Sequence, residues 1–166
     1  MPRFALAIMP PRKDPRSKER APPEPEGESC LFCKLASGKG ETSYVYTDEK
    51  CAAFLDIQPI NPGHLLVVPR GHYKSLEDVE PEVAAHVMKI AVKLARAIRA
   101  SEVRSQGVNL LLASGEAAGQ EVGHFHLHVI PRFSGDGFGL SFGPDYGERP
   151  ARHDLDRTAA LIRAQL

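Results

Sequence analysis

The chain has 166 residues, 25% charged and 42% apolar, with 21 Lys plus Arg against 21 Asp plus Glu. That size and composition fit a globular domain with a real core, and the balanced charge argues against an extended nucleic-acid footprint. Three cysteines are too few and too odd in number for a disulfide framework, so a reducing, cytoplasmic setting is expected, and no apolar run approaches the roughly 20 residues that span a bilayer.

Residues 1–27 hold Pro2, Pro10, Pro11, Pro15, Pro22, Pro23 and Pro25, half of the chain's 14 prolines, mixed with charge in RKDPRSKERAPPEPEGE. Such a segment buries too little apolar surface to offset its ordering entropy. It reads as a flexible tail without a cleavable leader, and the folded part is expected over 28–166. CLFCKLASGK reads as a short helix or knuckle ending at Gly38. SYVYTDE and CAAFLDI read as two strands joined at Asp48-Glu49-Lys50. PINPG is a turn, and HLLVVP a third strand stopped by Pro69.

From Pro81 to about Ala100 the apolar residues Val83, Val87, Ile90, Ala91, Leu94 and Ile98 recur at helical spacing, and Pro81 suits the helix start. His86 falls on the wet side of that helix. QGVNLLLAS is a fourth strand, SGEAAGQ a loop and HFHLHVIP a fifth strand. Residues 133–149 are glycine-rich loop. DLDRTAALIRAQL closes the chain as a helix, with Asp154 expected as its cap and His153 facing solvent. The fold class is α+β, with a five-stranded, mostly antiparallel sheet whose strands meander around one long helix.

The stretch GHFHLHVIPR sets His124, His126 and His128 at every second position. Strand geometry sends alternate side chains to opposite faces, so the three imidazoles share one face and Phe125, Leu127 and Val129 take the other. Such a row can ligate a metal. It can also supply a neutral imidazole nucleophile, with its neighbours orienting it, binding phosphoryl oxygens or protonating a leaving group. Upstream, Gly115, Gly119 and Gln120 let backbone and amide N–H groups approach an anion. With Arg132 they make the region read as an anion site. Cys30-x-x-Cys33 has the spacing of half a tetrahedral zinc site, and Cys51 reads as a buried strand thiol.

GQEVGHFHLHVIPR resembles the histidine triad signature, and AAFLDIQPINPGHLLVVPRGHY is similar to that family's other characteristic stretch. CLFC suits its zinc-carrying bacterial members. The resemblance covers roughly Ser29 to Phe133. It implies a homodimer of α+β protomers that binds a purine nucleotide and hydrolyses or transfers a nucleoside monophosphate, AMP being the expected one. The implied roles are His126 as nucleophile on the α-phosphorus, His128 on the phosphate or the scissile bridging atom, and His64 beside them. Asp56 is implied to bind ribose hydroxyls, with Gln120 and Gly119 on the phosphate side. A structural zinc is implied at Cys30, Cys33, His72 and His124, and magnesium can accompany the substrate. Two positions depart from the family pattern: Glu121 stands where Ser or Thr is usual, and Ala113 where some members have Asn or Gln.

The leading expectation is therefore a hydrolase acting on phosphoramidates, adenylated conjugates or dinucleoside polyphosphates through a covalent nucleotidyl-histidine. A nucleotidyl transferase or phosphorylase would use the same adduct. A non-catalytic nucleotide-binding module and a metal-dependent hydrolase are the remaining readings.

Overall fold

The computed structural model describes residues 29–166, so the expected tail over 1–27 lies outside the described residues. These divide into two compact units, 29–137 and 138–166. The first carries helix α1 (Leu31–Ala36), strands β1 (Tyr44–Thr47), β2 (Cys51–Leu55) and β3 (Leu65–Pro69), helix α2 (Pro81–Ala100), and strands β4 (Gly107–Leu111) and β5 (Leu127–Arg132). The second carries α3 (Arg152–Arg163).

The five strands form one sheet of order β1-β2-β3-β5-β4, antiparallel at every pairing. A simple meander holds only through β3. The 20 residues of α2 then carry the chain across the sheet, and β5 inserts between β3 and β4. Burial explains the order. Leu127, Val129, Ile130 and Pro131 of β5 are buried, which suits an interior strand, whereas Asn109, Leu110 and Leu111 of β4 are exposed, which suits an edge.

Each sheet face has its own cover. Val87, Ile90, Ala91, Leu94 and Ile98 of α2 pack on Cys51, Ala53, Leu65, Val67, Leu127 and Val129. This is the apolar stripe read from the helical spacing, although Val83 is only half-buried. Pro81 stands in the first turn of α2 after Glu80 at the N-cap, where its missing N–H costs no hydrogen bond. On the other face, Phe32, Leu35 and Ala36 of α1 pack on Ala52, Phe54, Leu66 and Val68. Phe54 alone, 2% exposed, contributes ~1.5–3 kcal/mol by leaving water.

In the second unit, the expected cap of α3 is corrected. The N-cap is Ala151, and Asp154 lies inside the first turn with its carboxylate accepting from Arg157 Nη2 at 2.7 Å. A carboxylate there still complements the positive end of the helix.

Candidate active site and metal cluster

The histidine row stands on the sheet face covered by α1. His128 lies within β5, paired with Leu66 of β3 and Leu111 of β4. The ladder begins only at Leu127, so His124 and His126 precede the strand. Alternation nevertheless persists: Phe125 and Leu127 join the α2-side core, while Phe32 meets the His126 ring edge-on at 5.0 Å and His124 at 6.2 Å. The Phe125 N–H donates to the Tyr73 carbonyl at 2.6 Å, which holds the extended lead-in in place of a strand partner.

Hydrogen bonds assign the protons on these rings. A carbonyl only accepts, so His126 Nδ1, 2.6 Å from the His124 carbonyl, carries the proton. The Nε2 lone pair of His126 is therefore uncommitted. The Ile60 N–H donates to His64 Nδ1 at 3.2 Å, which leaves the His64 proton on Nε2. That Nε2–H donates to His128 Nδ1 at 2.9 Å, so the His128 proton sits on its own Nε2. A chain of donors thus runs from the backbone through His64 to His128, and the His126 and His128 rings are 4.9 Å apart.

Burial keeps the cluster neutral. It lowers the pKa of His126 and of His64, against the charge of Asp56 in both cases and the His124 hydrogen bond in the first. His128 is pushed down to about 4, by burial first and then by His126 and His64. The sign for stability follows. Below about 6.5 the unfolded His128 takes a proton that the folded ring refuses until about pH 4. Stability is expected to fall as the pH drops through that window. Urea unfolding at pH 7.0, 5.5 and 4.5 reads it as a declining midpoint.

His64 is 2% exposed and depends on a turn that only glycine permits. Gly63 has φ +86°, and a Cβ there would meet Val103 Cγ1 at 2.8 Å. Asn61, 5% exposed, ties the same turn to the end of β5 by donating to the Pro131 carbonyl at 2.8 Å and to Asp136 at 2.9 Å. Arg132, read from sequence as part of an anion site, instead forks onto Asp136 through Nε at 2.6 Å and Nη2 at 2.8 Å. Asn61 and Asp136 were not singled out in the sequence. Their pairing spans 75 residues, and only the i,i+4 spacing of Arg132 and Asp136 gave a local hint.

Asp56 follows β2 and faces the row. Its Oδ1 accepts from the Gln58 N–H at 2.8 Å, and its Oδ2 is 3.6 Å from His64 Nδ1. Gln120 has its amide engaged within the protein. Its Oε1 accepts from the Gly115 N–H at 2.8 Å, and its Nε2 donates to the carbonyls of Lys74 at 2.6 Å and Val122 at 2.9 Å. It pins the loop after the 3-10 turn Glu116–Ala118, which Gly119 ends at φ 85°. Glu121 is exposed.

Cys30, Cys33, His72 and His124 bring their ligating atoms within 4.8 Å of one another. His124 Nδ1 is 3.5 Å from each sulfur, and His72 Nδ1 is 3.3 Å from Cys33 Sγ. His124 Nε2 donates to the Pro69 carbonyl at 3.0 Å, so its Nδ1 lone pair is turned toward the sulfurs. Burial and then Cys30 raise the Cys33 thiol to about 11. Burial holds His124 down at about 4, with His72 and His126 adding to the effect against the bond to Pro69. The sulfurs of Cys30 at the N-cap of α1 and Cys33 within it, the His72 ring in the loop after β3 and the Nδ1 lone pair of His124 before β5 form a donor set that fits a tetrahedral zinc ion. His86, expected on the wet face of α2, is instead 2.7 Å from Asp48 Oδ2. Helical periodicity cannot foresee a carboxylate arriving from a distant hairpin.

Residues 37–135 match the HIT domain model. "Protein hit" of Bacillus subtilis (strain 168) is 44% identical over 113 residues, covering 68% of this chain and 77% of that protein. "Adenylylsulfatase HINT3" of Arabidopsis thaliana is 38% identical over 103 residues, covering 62% of this chain and 52% of that protein. A zinc-bound histidine triad family protein from Mycobacterium smegmatis has a solved structure that superposes with a TM-score of 0.65 at 36% identity. It covers 84% of this chain and 97% of that one.

Proposed function

This chain belongs to the HIT domain family, and on that premise we propose that it is a hydrolase releasing a nucleoside monophosphate, AMP, through a covalent nucleotidyl-histidine. The observation that carries the reading is the His126 Nδ1–H held 2.6 Å from the His124 carbonyl. It directs the opposite nitrogen, with its lone pair, at an incoming phosphorus. His126 Nε2 forms a bond to the α-phosphorus as the bond to the leaving group breaks. The His128 Nε2–H delivers the proton to the departing atom, and His64 steadies His128 from behind. Water then attacks the same phosphorus, passing a proton back to His128 Nε2, and the P–N bond breaks to free the monophosphate and the His126 imidazole. The adenylylsulfatase relative favours hydrolysis over passage of the adduct to another acceptor.

Asp56 accepts the ribose hydroxyls. Gln120 supports the phosphate side by fixing the loop, and Gly119, whose N–H is held by the Glu116 carbonyl at 2.9 Å, gives the phosphate an approach that no Cβ obstructs. Asp56→Ala is expected to raise KM for an adenosine substrate by about 10- to 100-fold. The same replacement should have little effect on a 2′,3′-dideoxy substrate, which lacks the hydroxyls. Steady-state kinetics on the two substrates check this.

Zinc at Cys30, Cys33, His72 and His124 is structural in this proposal. It fastens α1 and the loop after β3 to the lead-in of β5, and magnesium arrives only with substrates that carry it.

The working unit is a cytoplasmic homodimer. β4 is an edge strand whose Leu110 and Leu111 are each 39% exposed. Beside it lies a groove lined by Val92, Ala95, Val108 and Leu110, with Arg96 and Arg99 at its rim. Pairing two β4 edges would cover both the open ladder and this groove. Leu110→Lys is expected to give a monomer in analytical ultracentrifugation. Among the described residues, no helix is long and apolar enough to cross a membrane.

The catalytic proposal is tested with adenosine phosphoramidate, adenylyl sulfate and diadenosine polyphosphate. Acid-quenched turnovers are read by intact mass and products by mass spectrometry in the presence of phosphate and sugar phosphate. An adenylyl adduct is expected, with AMP and the free leaving group as the products and no adenylylated acceptor. An adenylylated acceptor would move the assignment to a transferase, and absence of turnover on all three would remove it.

A further inference from the structure

Away from the histidine row, we propose that Asp48, Cys51 and His86 form a second cation site that takes a borderline divalent ion such as Zn(II). The carboxylate, the sulfur and the imidazole nitrogen bring their ligating atoms within 4.8 Å of one another. They come from two parts of the fold: the β1–β2 hairpin, which carries Asp48 in its turn and Cys51 at the start of β2, and the second turn of α2. The cluster lies on the α2-covered face, since Cys51 packs in the core beneath that helix. The histidine row occupies the opposite face, so the two sites share no ligand.

The donors are held in place by the backbone. Asp48 Oδ1 accepts the N–H groups of Lys50 and Cys51, both at 2.8 Å, which fixes the plane of the carboxylate. That leaves Oδ2 facing His86 Nε2 at 2.7 Å and the Tyr46 hydroxyl at 3.0 Å. Cys51 is 0% exposed and shares a hydrogen bond with Asp48. The sulfur and the carboxylate already share a proton, and a divalent ion taking that proton's place would hold both as ligands. The side chains of Asp48 and His86 are each 22% exposed, which leaves a route from solvent.

The donor chemistry selects the ion. One sulfur, one nitrogen and one carboxylate oxygen suit zinc or cobalt, and the sulfur disfavours magnesium and calcium. The Tyr46 hydroxyl stands at the same carboxylate as a further oxygen donor. On binding, the Cys51 thiol proton passes to solvent. The His86 proton moves to Nδ1, so that Nε2 offers its lone pair. The ion would then clip the β1–β2 hairpin to α2, adding to the His86–Asp48 contact, the Lys93 ammonium over the Tyr46 ring at 4.6 Å and the packing of Cys51 under the helix.

The test uses the full chain, stripped by a chelator, reloaded with Zn2+ and desalted before metal is counted by mass spectrometry. Wild type is expected to retain two ions per chain, His86→Ala one and Cys51→Ser one. With Co2+, wild type minus His86→Ala should leave a near-ultraviolet thiolate-to-cobalt charge-transfer band. Cys33→Ser reports the other cluster, and the difference between wild type and His86→Ala should survive in that background. Equal metal content in wild type and His86→Ala, or a cobalt difference spectrum without a thiolate band, overturns the proposal. His86 lies near the surface, so the comparison stands even where Cys51→Ser does not fold.

Discussion

Replacement of His126 by alanine is expected to lower kcat for monophosphate release by about 10^4-fold or more, with no adenylyl adduct in the intact mass and little change in nucleotide affinity. The expectation rests on where the lone pair is. In this fold the ring is locked by its Nδ1–H on the His124 carbonyl, and His128 has its lone pair occupied by the His64 Nε2–H. His128 therefore cannot stand in as the attacking group, and no rescue by a neighbour is foreseen. His126 is 6% exposed and packs edge-on against Phe32 at 5.0 Å. Truncation leaves a small hole there, costing about 1–3 kcal/mol, so circular dichroism and a thermal melt must accompany the kinetics. Single-turnover assays with the wild-type protein give the reference rate. Wild-type turnover by the alanine variant would mean that another group, or water itself, attacks the phosphorus.

Loss of the Cys30–Cys33–His72–His124 cluster is expected to act through the fold. Cys33→Ser, or prolonged chelation, should destabilise the chain by on the order of 3–5 kcal/mol. For a chain of this size that lowers the midpoint of thermal unfolding by roughly 10 °C. The decline in activity under chelation should track the rate of metal loss and return on adding Zn2+. Immediate and complete loss of chemistry, at unchanged melting temperature, would instead put a metal at the reaction centre. The cluster reaches the site by a short route. The His124 ring faces the sulfurs at 3.5 Å, while the carbonyl of the same residue holds the His126 proton at 2.6 Å. A shift of that residue would tilt His126 Nε2, the proposed attacking nitrogen.

Much of this arrangement is legible in the sequence itself. The two-residue period of His124, His126 and His128 placed them on one face, and the helical period over 81–100 marked the buried side of α2 correctly from Val87 to Ile98. These are local signals, and local geometry is enough to read them. Long-range pairings were not legible. That β5 enters between β3 and β4 depends on which strand can be buried on both sides. That Arg132 turns to Asp136 and Gln120 to Lys74 depends on partners brought close only by folding. His86 was misread for the same reason: a helix pattern reports which side is polar, not what meets it.

The pairing of β3 with β5 has a consequence for synthesis. The His64–His128 contact joins residues 64 positions apart, and β5 is the last strand to be made. Contacts of that sequence separation close late, after their loop entropy has been met. A chain still emerging from the ribosome can carry the residues of β1, β2 and β3 before it has His126, the proposed attacking ring, or His128, its proposed proton donor. On the proposed mechanism, nascent protein therefore cannot form the nucleotidyl adduct, and that step waits for the completed sheet.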